Sequence, residues 1–317
     1  MTGRALLAAA VVAGVGAPFV LDAFQLGVAT LGLTWGLVGL SVWFLLRLLN
    51  QPSFGHAAFF GTGAYVAGLA VTRWNLHNLF LILLLAVVIT CLAAVPIALV
   101  AARLNSIGFL LITLAFAEML SSLARRWQAV GGSDGLIGIT RPANVLGVDL
   151  EGPVGYFYLT LVLAAGCVAG LWLVRRSAFG GVLVAIRESE GRMRALGYHV
   201  GAYKVAAFLL SAAVAGIGGV LHAYLIRFAS PEDLSPLVSA RGLIIVVIAG
   251  SVIVMSVVVA VLLTLGEDLV STHTEHWLAL MGVLYVAVAL AGAAREPLRR
   301  LARQRPLRRR RLAGDES

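Results

Sequence analysis

The sequence predicts an all-α fold: a polytopic integral membrane helical bundle of about eight to ten membrane segments, some of them broken or re-entrant. Three observations predict it. Apolar residues fill 60% of the 317 positions against 12% charged ones, and mean hydropathy is +0.96, well outside ordinary soluble composition. The apolar residues form successive runs, and a bilayer crossing needs roughly 20 helical residues. Basic residues gather between these runs at alternate ends, as topology signals do. A single transmembrane domain over 1–294 takes up the bundle, with a polar loop at 175–203 and a basic tail at 295–317.

The formal charge of +9 sits largely in that tail, which holds nine arginines against Glu296, Asp315 and Glu316. A basic run beside a membrane helix signals topology and contacts anionic lipid, so the bilayer is an expected partner and nucleic acid is not. Cys91 and Cys167 lie inside apolar runs and read as small packing residues, not a disulfide framework.

Taken in order, the first run is Ala5–Val20, interrupted at Pro18 and expected to remain as a helix instead of being cleaved as a signal. Leu26–Leu49 is the second, with Arg47 at its end. Gln51–Leu69 is apolar but rich in glycine, and irregular backbone at membrane depth must be surrounded by protein or a polar cavity. It is therefore expected to face the bundle interior. Ser53, Gly55, His56, Gly61 and Gly63 in this stretch are candidates for a translocation path, with a structural hydrogen bond as the other role open to His56. No second ligand stands at metal-binding spacing from His56.

Leu79–Ala102 makes a fourth span, kinked at Pro96, and Ile107–Trp127 a fifth, carrying Thr113 and Glu118. A mid-span carboxylate is costly in lipid, so Glu118 either faces the interior or a partner, or pairs at the interface with Arg125 or Arg126. Thr113 and Glu118 join the candidate path. Residues 128–153 form a polar loop whose Gly131-Gly132-Ser133-Asp134-Gly135 suits turns. It is no phosphate-binding loop, since Lys204 is the only lysine in the chain. Val154–Val174 is the sixth span and ends in Arg175-Arg176.

Within the polar loop, Ala185–Leu196 is expected to form an amphipathic helix outside the bilayer, with Glu188 and Arg192 at i,i+4 spacing and Gly197 as its stop. Val205–Arg227 follows, with Ser211, Ala212, Ala215, Gly216 and Gly219 permitting close helix packing. Leu243–Leu265 and Trp277–Ala294 complete the apolar runs. Simple crossings place Arg4, Arg47, Arg103, Arg175-Arg176 and the polar loop together in the cytoplasm, and leave Arg73 and Arg125-Arg126 on the other side. The tail joins the cytoplasmic group only if Leu243–Leu265 enters and returns as two segments broken near Gly250-Ser251.

Three blocks carry a family resemblance. They are Ser53-Phe54-Gly55-His56-Ala57-Ala58-Phe59-Phe60-Gly61 with Gly63-Ala64-Tyr65, the Gly131–Leu136 loop, and Ala195-Leu196-Gly197 followed by Tyr203-Lys204 and the small-residue helix. In this order they resemble the permease subunits of ABC importers, in the branched-chain amino acid (leucine, isoleucine, valine) class. A glycine- and proline-rich motif of that family is reduced here to Ala249-Gly250-Ser251, so an altered turn is expected there.

The resemblance implies a transport subunit, not an enzyme, with no cofactor of its own. ATP and Mg would be used by two separate ATP-binding subunits docked on a coupling loop, here Arg187, Glu188, Glu190, Arg192, Ala195, Leu196 and Gly197. It further implies a second, homologous permease, a periplasmic or extracellular substrate-binding protein, and a bacterial inner membrane with the tail in the cytoplasm. The residues alone leave an alternative, a secondary transporter of small polar solutes, which would need ionisable groups paired in several spans.

Overall fold

A computed structural model describes residues 13–104, 106–145, 147–272 and six residues between 279 and 287. The tail and most of the expected last span, Trp277–Ala294, lie outside the described residues, as do residues 1–12. Two compact units divide the chain, 1–266 and 267–317, and the bundle described below belongs to the first.

Residues 13–20 are helical, and a capping box at Asp22 then opens α1 (Ala23–Leu49). The Asp22 carboxylate accepts the Gln25 N–H at 2.8 Å while the Gln25 side chain accepts the Asp22 N–H at 3.3 Å. α1 is apolar around its whole circumference and buried along most of its length, so it is the central strut. Asn50, with φ 55°, stops it.

The chain does not turn straight into another helix. Residues 51–55 run back into the bundle without regular structure, and α2 (His56–Thr72) starts only there. α3 (Leu79–Ala101) and α4 (Ser106–Arg126) follow, and α3 exposes Phe80, Leu84, Val88, Leu92 and Leu99, the one-sided stripe of a lipid-facing helix. A pair of short strands, β1 (Leu136–Ile137) and later β4 (Phe228–Ala229), ties the 128–153 loop to the end of the seventh expected span. The small hairpin of β2 (Asn144–Val145) and β3 (Val148–Asp149) lies within that loop.

α5 (Pro153–Arg176) has proline in its first turn and two arginines in its last, in keeping with the helix dipole. α6 (Ala178–Glu188) and α7 (Glu190–Ala195) form the polar loop, and α8 (Val200–Ile226) re-enters the bundle. α8 lies against α2 so closely that a Cβ on Gly219 would stand 1.8 Å from the Phe60 carbonyl oxygen, and one on Gly63 2.1 Å from that of Gly216. Small residues here let the two backbones touch.

α9 (Pro236–Ala249) and α10 (Ile253–Ser271) make the expected break real. Gly250 closes α9 with φ +67°. Beside α1, Gly242 lies against Val38 and Val42, and Gly250 accepts the Trp43 indole N–H at 3.1 Å, so α9 runs towards the C-terminal end of α1. Val257 then packs at Gly36 and Val261 at Gly32, so α10 runs back. The pair is a re-entrant hairpin, and the single glycine suffices for a turn where the fuller motif is missing.

Candidate functional site

Two places concentrate the polar chemistry. The first is the break before α2. A non-helical backbone inside a membrane bundle must find internal partners for its N–H and C=O groups. Side chains from two helices and from the segment itself supply them. Phe54 N–H donates to Thr113 Oγ1 on α4 at 3.1 Å, and Gly55 N–H to Ser53 Oγ at 3.1 Å. Ser239 Oγ on α9 accepts the Ala57 N–H at 2.7 Å and donates to the Phe54 carbonyl at 2.6 Å.

Beside them, Ser211 Oγ on α8 donates to the Ser41 carbonyl on α1 at 2.7 Å and lies 2.7 Å from His56 Nε2. A hydroxyl has one proton to give, so His56 Nε2 carries the proton of that second bond. Ser53, His56, Thr113, Ser211 and Ser239 are all fully buried. The structure thus brings Ser53, Gly55, His56 and Thr113 together as a polar knot at membrane depth. Gly61 and Gly63 lie further along α2, at close packing contacts with Leu234 and Gly216.

Glu118 stands apart from this knot. It is exposed on α4, on one face with Leu111, Ala115 and Met119. Twelve residues beyond Ser106 it lies about 18 Å along the helix, near the middle of a membrane crossing. The expected interfacial pairing does not form: Arg125 instead reaches Glu232 at 2.8 Å, on the loop before α9.

The second place is the polar loop. The single helix expected over Ala185–Leu196 is in fact two, broken at Ser189, whose extended backbone (φ −159°, ψ 96°) turns the chain and whose hydroxyl caps α7 by accepting the Arg192 N–H at 3.4 Å. The expected Glu188–Arg192 pairing gives way to another, because the break separates those residues onto different helices. Glu190 instead bridges Arg194, at 2.5 Å, and Lys204 at the start of α8, at 2.8 Å. Gly197 stops the segment with φ +87°, as expected.

Leu183, Ile186 and Met193 are the inward anchors of this platform. Arg187 donates to the Arg47 carbonyl at the end of α1, and Lys204 also reaches the Ala102 carbonyl after α3, at 3.5 Å. Glu188, Arg192, Ala195 and Leu196 are left exposed. Leu196, a large apolar side chain, is 67% exposed among the described residues.

Sequence reasoning missed three participants: Ser239, Ser41 and the structural use of Lys204. Lys204 had a signal, as the one lysine in the chain, buried at a helix start fourteen residues after an acid; the others had none, since serine in an apolar run is unremarkable. It also missed a buried pairing on the far side, where His222 Nε2 lies 3.6 Å from Asp233 Oδ1 and its Nδ1 3.4 Å from Thr34 Oγ1. Among the described residues no cluster of three His, Cys, Asp or Glu side chains could hold a metal.

Comparison with known proteins adds the following. The family model described as branched-chain amino acid transport system / permease component matches residues 24–289. The high-affinity branched-chain amino acid transport system permease protein LivM of Salmonella typhimurium is 27% identical over 311 residues, covering 90% of this chain and 73% of that protein. The Escherichia coli protein of the same name is 26% identical over 311 residues, with the same coverage of 90% and 73%. No solved structure matches the chain.

Proposed function

Since the chain belongs to the family of permease components of branched-chain amino acid transport systems, we propose that it moves branched-chain or related small amino acids as half of a permease pair driven by two separate ATP-binding subunits. It is a multi-pass membrane protein, with six described helices long and apolar enough to cross a bilayer. The observation that carries the proposal is the α6–α7 platform. It is a two-helix ledge, latched to α1, α3 and α8 through Arg187 and Lys204, that presents Glu188, Arg192, Ala195 and Leu196 outward.

The ledge is suited to receive force. A partner that closes on ATP would press on the exposed face, and the two latches would pass the displacement to the ends of α1, α3 and α8 as a rigid-body shift. The positive-inside rule puts the ledge, with its arginines, in the cytoplasm of a bacterial inner membrane, where ATP and Mg are available to the partners. A binding protein would deliver substrate from the opposite side.

Glu118 belongs to the translocation path in this reading. A carboxylate facing lipid at mid-membrane costs about 2.5–3.5 kcal/mol, so its α4 face is better met by the second permease and a watered path, where it can receive the substrate ammonium. The polar knot of Ser53, Gly55, His56 and Thr113 holds the broken start of α2 beside that path.

The test is reconstitution of the full complex in proteoliposomes with leucine as substrate. Leu196→Asp or Arg192→Glu on the exposed face should abolish ATP-driven uptake while the permease pair still assembles. Uptake that persists in both variants counts against the docking role, and uptake by the permease driven by an ion gradient without ATP-binding subunits would instead make it a secondary transporter.

A further inference from the structure

The arginines that the topology leaves on the wrong side lie next to an apolar cavity. Its volume is about 240 Å³, and it opens on the surface between α2, α3 and α4. Tyr65, Leu69, Leu123 and Leu234 form much of its wall, and Trp74 and Trp127 stand at its rim, each 54% exposed. From Trp127 back to Leu120, also in the wall, is seven residues, so the cavity reaches about 10 Å inward along α4.

The wall excludes a polar occupant. Thr62, one of its few polar residues, gives its hydroxyl proton to the Ala58 carbonyl at 2.6 Å. The Tyr65 hydroxyl is the wall's unpaired polar group among the described residues, too little for an amino-acid zwitterion, which would pay for desolvating both charges. The cavity is therefore no part of the substrate path.

The rim points to the occupant. Tryptophan side chains favour the level of lipid headgroups, and two of them mark that level on either side of the opening. Arg73 follows Leu69 by four residues, which puts it one turn beyond that wall residue on the same side of α2 and next to Trp74 at the rim, and Arg126 adjoins Trp127. Both are exposed, and neither takes part in a salt bridge among the described residues, whereas Arg125 is held by Glu232. An apolar slot with two cations at its mouth, neither in a salt bridge among the described residues, matches one acyl chain and an anionic headgroup.

We propose that this cavity is a binding site for an anionic phospholipid of the leaflet remote from the α6–α7 ledge, with an acyl chain between α2, α3 and α4 and the headgroup on Arg73 and Arg126. The site accounts for basic residues that topology alone disfavours, because their charge is used by lipid. It needs only the membrane fold and holds whatever the chain transports.

The test is native mass spectrometry of the full chain released from detergent carrying dioleoyl phosphatidylglycerol or dioleoyl phosphatidylcholine. One phosphatidylglycerol should be retained in preference to phosphatidylcholine, and Arg73→Gln or Arg126→Gln should each weaken that preference about fivefold. Ala124→Phe, which fills the slot from α4, should remove the bound lipid with both arginines intact. Should detergent strip the lipid or a variant fail to fold, quenching of wild-type tryptophan by acyl-brominated lipids in vesicles gives the same reading, stronger for phosphatidylglycerol at equal mole fraction. Equal retention and equal quenching by the two lipids overturn the proposal. So does loss of the lipid when the chain is paired with its partner permease, which would make the cavity a subunit contact.

Discussion

At the scale of single residues, Glu118 and Asp233 make opposite use of a carboxylate. Glu118 is exposed on an apolar face with no ion pair among the described residues, so its worth depends on what meets that face. Loss of a charge-assisted hydrogen bond to substrate costs about 1.5–3 kcal/mol, and Glu118→Gln should accordingly lower uptake about tenfold or more while Met119→Leu on the same face leaves it unchanged. Equal uptake by the two variants would put Glu118 outside the path. Asp233 is held in the loop before α9, where burial pushes its pKa up to about 6, against the Ser230 N–H bond, which opposes the shift. Folding then binds the proton more tightly than the unfolded chain does, so this group's stabilising contribution is complete below about pH 4 and is lost as pH rises through about 6. The slope in that window is at most about 1.4 kcal/mol per pH unit. Thermal unfolding in detergent across it should fall with pH in the wild type more steeply than in Asp233→Asn. Parallel curves would show that Glu232, His222 or another neighbour sets the dependence. The sequence made Glu118 visible because an acid in an apolar run has no bland explanation, but Asp233 looked like an ordinary loop acid. His222 of α8 reaches it at 3.6 Å and is itself 3.4 Å from Thr34 of α1, and such convergence leaves no mark on local pattern.

Among the elements, the spans were legible and the joints were not. Apolar length fixes a crossing helix to within a few residues, as α3, α4 and α5 illustrate, since lipid accepts little else. Ala185–Leu196 reads as one helix in the sequence because its charged and apolar residues keep helical spacing throughout. Ser189 breaks it by offering its hydroxyl as a cap, a choice the serine side chain allows but pattern does not announce. Two consequences can be measured. Lys204→Ala removes the bridge from Glu190 to α8. Because Glu190 is 36% exposed and recovers water, the stability cost should be only about 1 kcal/mol. Coupling should suffer more: ATP hydrolysis by the assembled complex should continue while uptake falls, and intact coupling would show that α7 needs no latch. Gly219 tests the opposite kind of joint. A side chain there must displace the Phe60 backbone, so Gly219→Val should part α2 from α8 at a cost of about 1–3 kcal/mol or more and lower the yield of folded protein. Gly201→Ala, on the same helix with open space around it, is the control expected to fold normally.

For the whole molecule the question to test is which side of the membrane residues 295–317 lie on, and the α9–α10 hairpin argues for the cytoplasm. α10 alone, at 19 residues and about 28 Å, is long enough to cross, and by length it counts as a span. Its neighbours argue otherwise. α9 descends beside α1 from the level of Trp35 and Val38 to that of Trp43, and α10 climbs back past Gly36 and Gly32 towards Leu26, so the pair enters and leaves on the side of α1 remote from the ledge. The sequence points to this from two observations: nine arginines at 295–311 are expensive to translocate, and Gly250-Ser251 is the weak point of an otherwise β-branched run where a returning hairpin can turn. The expectation for the tail rests on Trp277–Ala294, the last apolar run, serving as one crossing. Single cysteines at Ser271 and Ala313, in a background lacking Cys91 and Cys167, report each side to a membrane-impermeant thiol reagent on intact cells. Labelling at Ser271 with protection at Ala313 is the expected result. Labelling at both would mean that the chain ends outside despite its charge. Protection at Ser271 would mean that α10 crosses after all, with the turn at Gly250 a kink and not a return.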